Sequence, residues 1–255
     1  MTANIPYSIK LLLFCLCASL ACFFRSPAYG DDLSPMTLAY VDFPPYEYEY
    51  KGEPRGILVE IVNTVFQRAG IQLELIHYPF QRAYEETRKG SIDGLFNFYK
   101  TPERLKDFDY SDPIIDNPLV LFVHKDSEFE FSGNIHDLAG LRVGAIHGYT
   151  YGQEFDQSEL FIIDYANSHE ANFQKLILGR IDVYPCDKLV GKYILDKEDL
   201  HGQIKYLPHP LITMQGHIGF TRGRHNQAIK RINKHILEMH IQNEIQEIIT
   251  NYVSR

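Results

Sequence analysis

Arg104 closes the tetrapeptide Thr101-Pro-Glu-Arg104, just downstream of an apolar run, Ile92 to Phe98. That run reads as a buried strand entered through a turn at Gly90. Its polar exit carries Asn97, Tyr99, Thr101 and Arg104. Small molecules bind open α/β sheets just outside the carboxyl ends of strands, so these side chains are placed to meet one. A guanidinium presents a planar fork of donors that suits a carboxylate. The chemistry expected here is recognition of a small anion.

Four other groups of residues could meet a ligand. Phe43, Tyr46 and Tyr48 follow an early strand, and their rings suit a ligand side chain or a cation, or else pack beside Pro44 and Pro45. Gly148-Tyr149-Thr150 follows a later strand. If that turn opens a helix, its amide N–H groups and the helix dipole favour an anion, or it is a plain cap. Arg82 is either a second anionic anchor or a solvated helix arginine. Asp187 follows another strand, where an aspartate also serves as a helix N-cap. Glu47, Glu60, Asp93, Asp187 and His147 are the candidates for a general acid. No Ser-His-Asp order, H-E-x-x-H or C-x-x-C accompanies them, and the eleven histidines show no trusted metal-ligand spacing. An enzyme is not expected, and neither is a cofactor or a metal.

The elements that must hold these residues alternate between strand and helix, which argues for α/β layers. Met36 to Val41 reads as the first strand. Leu58, Ile61, Val62, Val65, Phe66 and Ala69 mark one helical face stopped by Gly70. A strand over Ile71–Ile76, a helix opened by Pro79, the strand Ile92–Phe98 and an extended run Pro118–Val123 follow. A second unit has strands at Leu141–Ile146, Phe161–Tyr165 and Ile181–Tyr184, with a helix over Glu170–Leu178. Gly216–Thr221 is a late strand, and a single final helix is expected over Asn226–Tyr252.

Residues 1–30 read as a cleaved export signal. Lys10 gives a positive start, Leu11 to Phe24 is apolar, and Ala28-Tyr29-Gly30 offers small residues for cleavage. Ser19-Leu-Ala-Cys22 is a weaker lipoprotein pattern, so an anchor at Cys22 stays open. Removing the leader takes away Lys10 and Arg25 and moves the net charge from −8 to about −10, which disfavours nucleic-acid binding. Three of the four cysteines go with it, leaving Cys186 and no disulfide. An exported, monomeric chain of about 225 residues in the periplasm is expected.

Gly90-Ser-Ile-Asp93, the apolar strand, Thr101-Pro-Glu-Arg104 and Tyr110-Ser-Asp-Pro113 together resemble the extracellular solute-binding proteins of family 3, the polar amino-acid receptors of bacterial ABC transporters. Their pattern is G-x-(I/V)-D, a strand, T-x-E-R, then aromatic-S-x-P. Val143–Thr150 resembles the family's V-G-V-x-x-G-T-T, and Gly179–Asp187 its G-R-x-D-A-x-x-x-D. The resemblance spans residues 36–252. It implies a two-lobed periplasmic-binding-protein clamshell of type II, each lobe a mixed sheet flanked by helices. Lobe one would be 31–122 with 220–255, lobe two 123–219, and Leu119–Val123 with Ile218–Thr221 the hinge.

The resemblance also implies roles. Arg104 and Thr150 would grip a carboxylate, Asp187 an ammonium, and Asn97, Tyr99 and Thr101 would face the ligand beneath the Phe43 loop. A small zwitterionic or anionic solute would be captured for uptake through an inner-membrane ABC permease. A receptor for a signalling partner and a dehydratase-like enzyme are the alternatives. Asn97 and Tyr99 stand where many members carry Ser or Thr, and Tyr78-Pro-Phe-Gln-Arg82 resembles a sub-branch not confined to ordinary amino acids.

Overall fold

Met36–Tyr40 (β1) lies one strand in from the edge of the larger sheet, with four of its five residues buried. It pairs in parallel with Leu73–His77 (β4) on one side and Gly94–Tyr99 (β5) on the other. A computed structural model describes residues 34–253; the leader expected over 1–30, and Cys22 with it, lies outside the described residues. Between β1 and β4 come a small hairpin, Tyr48–Tyr50 (β2) with Glu53–Arg55 (β3), and the helix Ile57–Ala69 (α1). The apolar spacing of α1 does what such spacing should. Eight of its residues are buried, including Ile61, Val62, Val65 and Phe66, and Gly70 closes the helix in a left-handed conformation with its N–H on Phe66 and Gln67 carbonyls. Pro79 sets up Phe80–Lys89 (α2), whose buried Ala83 covers β5 from one side.

The sheet continues past β5 through two long strands. Ile115–His124 (β7) and Ile204–Thr221 (β11) run antiparallel over most of their length, and β11 also pairs with β5. Tyr184–Asp187 (β10) adds to the far edge of β7, and Phe108–Tyr110 (β6) pairs with β11. The resulting order is β10-β7-β11-β5-β1-β4, with β6 off that path. A separate parallel pair, Arg142–Ile146 (β8) with Ile162–Ala166 (β9), is linked to this arrangement by a bridge from Val143 to Val183.

Apolar burial gathers in distinct places. One cluster joins Leu119, Leu121 and Val123 of β7 to Val143, Phe155, Phe161 and Val183, and another joins Ala39, Leu95, Phe98 and Phe108. Each fully buried Leu, Ile or Phe contributes about 1.5–3 kcal/mol of transfer free energy. Four more helices complete the chain after the short Gln153–Asp156 (α3): His169–Ile177 (α4), Lys188–Lys197 (α5), Asn226–Ile241 (α6) and Glu244–Val253 (α7). α5 lies so tightly on β7 that a Cβ at Gly191 would stand 2.0 Å from the Phe122 ring.

Several expected boundaries move, each for a local reason. The final helix is two helices, because Asn243 turns left-handed at φ 60° and breaks it after Ile241. The strand expected over Ile181–Tyr184 instead runs from Tyr184 to Asp187, where it gains β7 as partner. The late strand starts twelve residues earlier than Gly216, since Pro208 and Pro210 sit where the register with β7 slips and need no ladder hydrogen bond. α5 had no expected counterpart.

Candidate functional site

The ends of β1 and β5 and the turn after β8 meet around one cavity. Val41, Phe43 and Glu47 come from the first, Phe96, Asn97, Tyr99 and Arg104 from the second, Gly148, Tyr149 and Thr150 from the third, and Phe80 from the start of α2. Strand ends supply the walls, as open α/β sheets require.

The first wall is a tight turn. Tyr46 and Glu47 both donate their N–H to the Phe43 carbonyl, and Phe43 donates back to Glu47 at 2.7 Å. Phe43 thereby lies against Tyr46 with ring centres 5.7 Å apart and a 16° tilt. Glu47 is buried and accepts a hydrogen bond from the Val41 N–H at 3.3 Å. Burial pushes its carboxyl well above the usual carboxylate range, which favours the neutral acid.

The second wall holds the arginine. Arg104 opens a short 3₁₀ turn, Arg104–Lys106, whose first N–H is received by the Thr101 hydroxyl at 3.2 Å. Its guanidinium lies 4.5 Å from the Phe98 ring centre and 5.6 Å from that of Phe80, and one nitrogen donates to the Tyr99 carbonyl at 3.0 Å. Among the described residues no carboxylate stands within ion-pair distance of it. Burial pulls its pKa below the ordinary value, and the neighbouring tyrosines Tyr110 and Tyr84 and the Asp156 carboxylate offset this only in part. Asn97 takes a left-handed φ of 53°, and Asn117 donates both to its side-chain oxygen at 2.7 Å and to the Tyr99 hydroxyl at 2.9 Å.

The third wall differs from expectation. Gly148–Thr150 does not open a helix: α3 begins at Gln153 and is only four residues long. The Thr150 hydroxyl bonds the Asp156 carboxylate, which also accepts the Tyr151 N–H at 2.9 Å. Helix-dipole help for an anion is therefore not available there. Tyr149 contributes a ring instead, set edge-on to Phe43 at 6.4 Å and to Phe80 at 6.2 Å. Burial lifts its hydroxyl to about 12.

Of the expected site residues, the cavity brings together Phe43, Asn97, Tyr99, Arg104, Tyr149 and Thr150. Four stand elsewhere. Arg82 covers the Tyr78 ring at 4.2 Å, Thr101 caps the arginine's turn, and Tyr46 and Asp187 are buried against each other. Phe80, Phe96 and Val41 also line the cavity, though in the sequence they read as core. Glu47 reads there only as a possible acid, although its place in the Phe43 loop is a usable signal.

Asp187 is engaged on both oxygens. Oδ1 accepts the Leu189 and Val190 N–H groups as the N-cap of α5, and Oδ2 accepts the Tyr46 hydroxyl at 3.0 Å. Burial raises its carboxyl to about 6, only partly offset by the Val190 and Tyr46 donors. Since the folded chain holds this proton more tightly than the unfolded one, ionisation costs stability as pH rises from about 4 to about 6. At about 1.4 kcal/mol per pH unit the cost above pH 6 is roughly 3 kcal/mol. Asp187→Asn keeps the capping oxygen and carries no charge. Urea unfolding should show it more stable than the parent at pH 7.5, by up to roughly 3 kcal/mol, with the advantage vanishing toward pH 4. An advantage that grows as pH falls would contradict this.

Known proteins resemble this chain along most of its length. The arginine-binding extracellular protein ArtP of Bacillus subtilis is 24% identical over 213 residues, covering 81% of this chain and 81% of ArtP. An ancestral arginine-binding protein bound to arginine superposes with a TM-score of 0.70 at 21% identity, covering 86% of this chain and 97% of that one. The GluR0 ligand-binding core from Nostoc punctiforme, in complex with L-glutamate, gives 0.70 at 19% identity, covering 86% and 99%. These likenesses show the fold to be the type II periplasmic-binding-protein clamshell, a mixed α/β architecture with sheets flanked by helices. Residues 37–255 match the bacterial extracellular solute-binding proteins, family 3, and the chain belongs to that family.

Proposed function

We propose that the chain captures a small amino acid or related carboxylate in this cavity for ABC-type uptake, without turning it over. One observation carries the reading. Arg104 is a half-buried cation on the cavity wall, over the Phe98 and Phe80 rings and donating to the Tyr99 carbonyl, with no carboxylate within ion-pair distance among the described residues. A partly desolvated charge without an ion-pair partner is costly unless a ligand supplies one. Its planar fork suits a carboxylate.

The rest of the cavity suits an amino acid whose side chain ends in a cation. Glu47 offers a carboxyl that a buried cation would ionise, and Phe43, Phe80, Tyr99 and Tyr149 offer aromatic faces. Arginine is bound by two of the similar proteins named above, so it is the first ligand to test. Lobe one would be 31–122 with 220–255 and lobe two 123–219, with β7 and β11 as the crossing strands; the Phe43–Tyr149 and Tyr46–Asp187 contacts already join the two, and a ligand would hold them closed. The closed face would meet an inner-membrane permease, and the leader would deliver a monomer to the periplasm. No helix among the described residues is long and apolar enough to cross a membrane.

A thermal-shift screen of the twenty amino acids and a set of sugars tests the reading. At 100 times its dissociation constant a ligand adds about 2.7 kcal/mol of stability. Each kcal/mol moves the midpoint of a chain this size by about 2–4 °C, so a rise of about 5–10 °C is expected from an amino acid. Solution scattering with that amino acid should show a smaller radius of gyration. Hits confined to sugars would overturn the carboxylate reading.

A further inference from the structure

We infer that Tyr46 takes the seat on Asp187 that a ligand ammonium would otherwise fill, so that this site reads its ligand without requiring an α-amino group. This rests on the capture reading above and narrows the ligand class to carboxylates recognised by Arg104 at one end and Glu47 at the other.

The geometry leaves Asp187 little to offer. Oδ1 is taken up by two backbone N–H groups and Oδ2 by the Tyr46 hydroxyl. Asp187 as a whole is 2% exposed and is not among the residues lining the cavity. A phenol at 3.0 Å supplies one directed donor from the protein itself. An ammonium arriving with a ligand would have to displace it.

Displacement is opposed by everything around Tyr46. The residue is wholly buried, and its ring lies on Phe43. Its N–H donates to the Phe43 carbonyl, and its own carbonyl accepts the Leu58 N–H at 2.8 Å, at the start of α1. Gly56 packs directly on that carbonyl, so close that a Cβ there would sit 2.2 Å from the oxygen. Backbone and ring are fixed from three sides, and the hydroxyl is held where Asp187 needs it. The cavity retains Arg104 for a carboxylate and Glu47 for a distal cation, neither of which touches Asp187.

The test is titration calorimetry near pH 7.5 with L-arginine and with 5-guanidinopentanoate, which is arginine without its α-amino group. The parent protein should bind the two within about threefold of each other, and Asp187→Asn should change neither by more than about threefold. Tyr46→Phe frees Oδ2, and should create a preference for arginine over the analogue of tenfold or more. A parent preference for arginine above tenfold, lost in Asp187→Asn, overturns the inference and leaves the capture reading standing. A Tyr46→Phe variant that folds and binds both equally removes Tyr46 from the role. If another amino acid is the hit, it and its deamino analogue replace the pair. If no amino acid binds at all, the capture reading fails and takes this inference with it.

Discussion

Arg104→Ala is expected to lower affinity for the captured carboxylate at least tenfold while the protein stays folded. Each charge-assisted hydrogen bond to a carboxylate is worth about 1.5–3 kcal/mol, and a two-pronged pair somewhat more. The structural duties of this side chain are light by comparison. They amount to one hydrogen bond to the Tyr99 carbonyl and its position over the Phe98 and Phe80 rings. A hydrogen bond contributes about 0.5–1.5 kcal/mol and a cation–π contact outside the deep interior about 0.5–1 kcal/mol, and removing a partly desolvated charge returns part of that. The loss in urea stability should therefore be under about 2 kcal/mol. Arg104→Lys keeps the charge but loses the fork, so its affinity should lie between the two. Calorimetry with the screened amino acid measures all three proteins, and unchanged affinity in Arg104→Ala would take Arg104 out of the site.

Gly56→Ala should destabilise the fold strongly, although it adds only one methyl group. Gly56 precedes α1 with φ 129° and ψ 168°, a conformation that costs an L-residue about 1–3 kcal/mol. The added Cβ would also stand 2.2 Å from the Tyr46 oxygen and 2.7 Å from the Glu47 nitrogen, which are backbone atoms unable to rotate away. Overpacking of this kind costs a further 1–3 kcal/mol or so, and a total of roughly 3–5 kcal/mol is expected. Because the displaced atoms carry the first wall of the cavity, ligand affinity should fall as well. Gly52→Ala is the matched control: its φ is 82° and nothing lies within 4 Å of the added atom, so only the backbone conformation is penalised. Equal urea midpoints for the two variants would show that the close approach of Gly56 to the Phe43 loop carries no energy.

The arginine and its setting were readable in the chain itself. An apolar run, a polar exit and a fork-shaped cation in one short string are local features, and β5, the turn after it and Arg104 on the cavity wall follow from them. Helix α1 was equally legible, because its period and its terminal glycine are properties of contiguous residues. The family pattern extended that reading to the Phe43 loop and to Thr150.

Tertiary structure decided what contiguous residues cannot specify. Whether Asp187 faces a ligand or a helix depends on Tyr46, 141 residues away, whose hydroxyl reaches it only once the loop after β1 meets the end of β10. Whether Glu47 is an ordinary surface acid or a buried carboxyl with a raised pKa depends on what covers it. Whether Gly148–Thr150 has a helix dipole behind it depends on where α3 begins. Residue type and spacing thus pointed to the group proposed to bind the anion, since an arginine's charge and shape travel with it. The partners that consume or leave free each polar atom come from distant parts of the chain, and burial, which sets the cost of leaving one unpaired, exists only in the folded molecule.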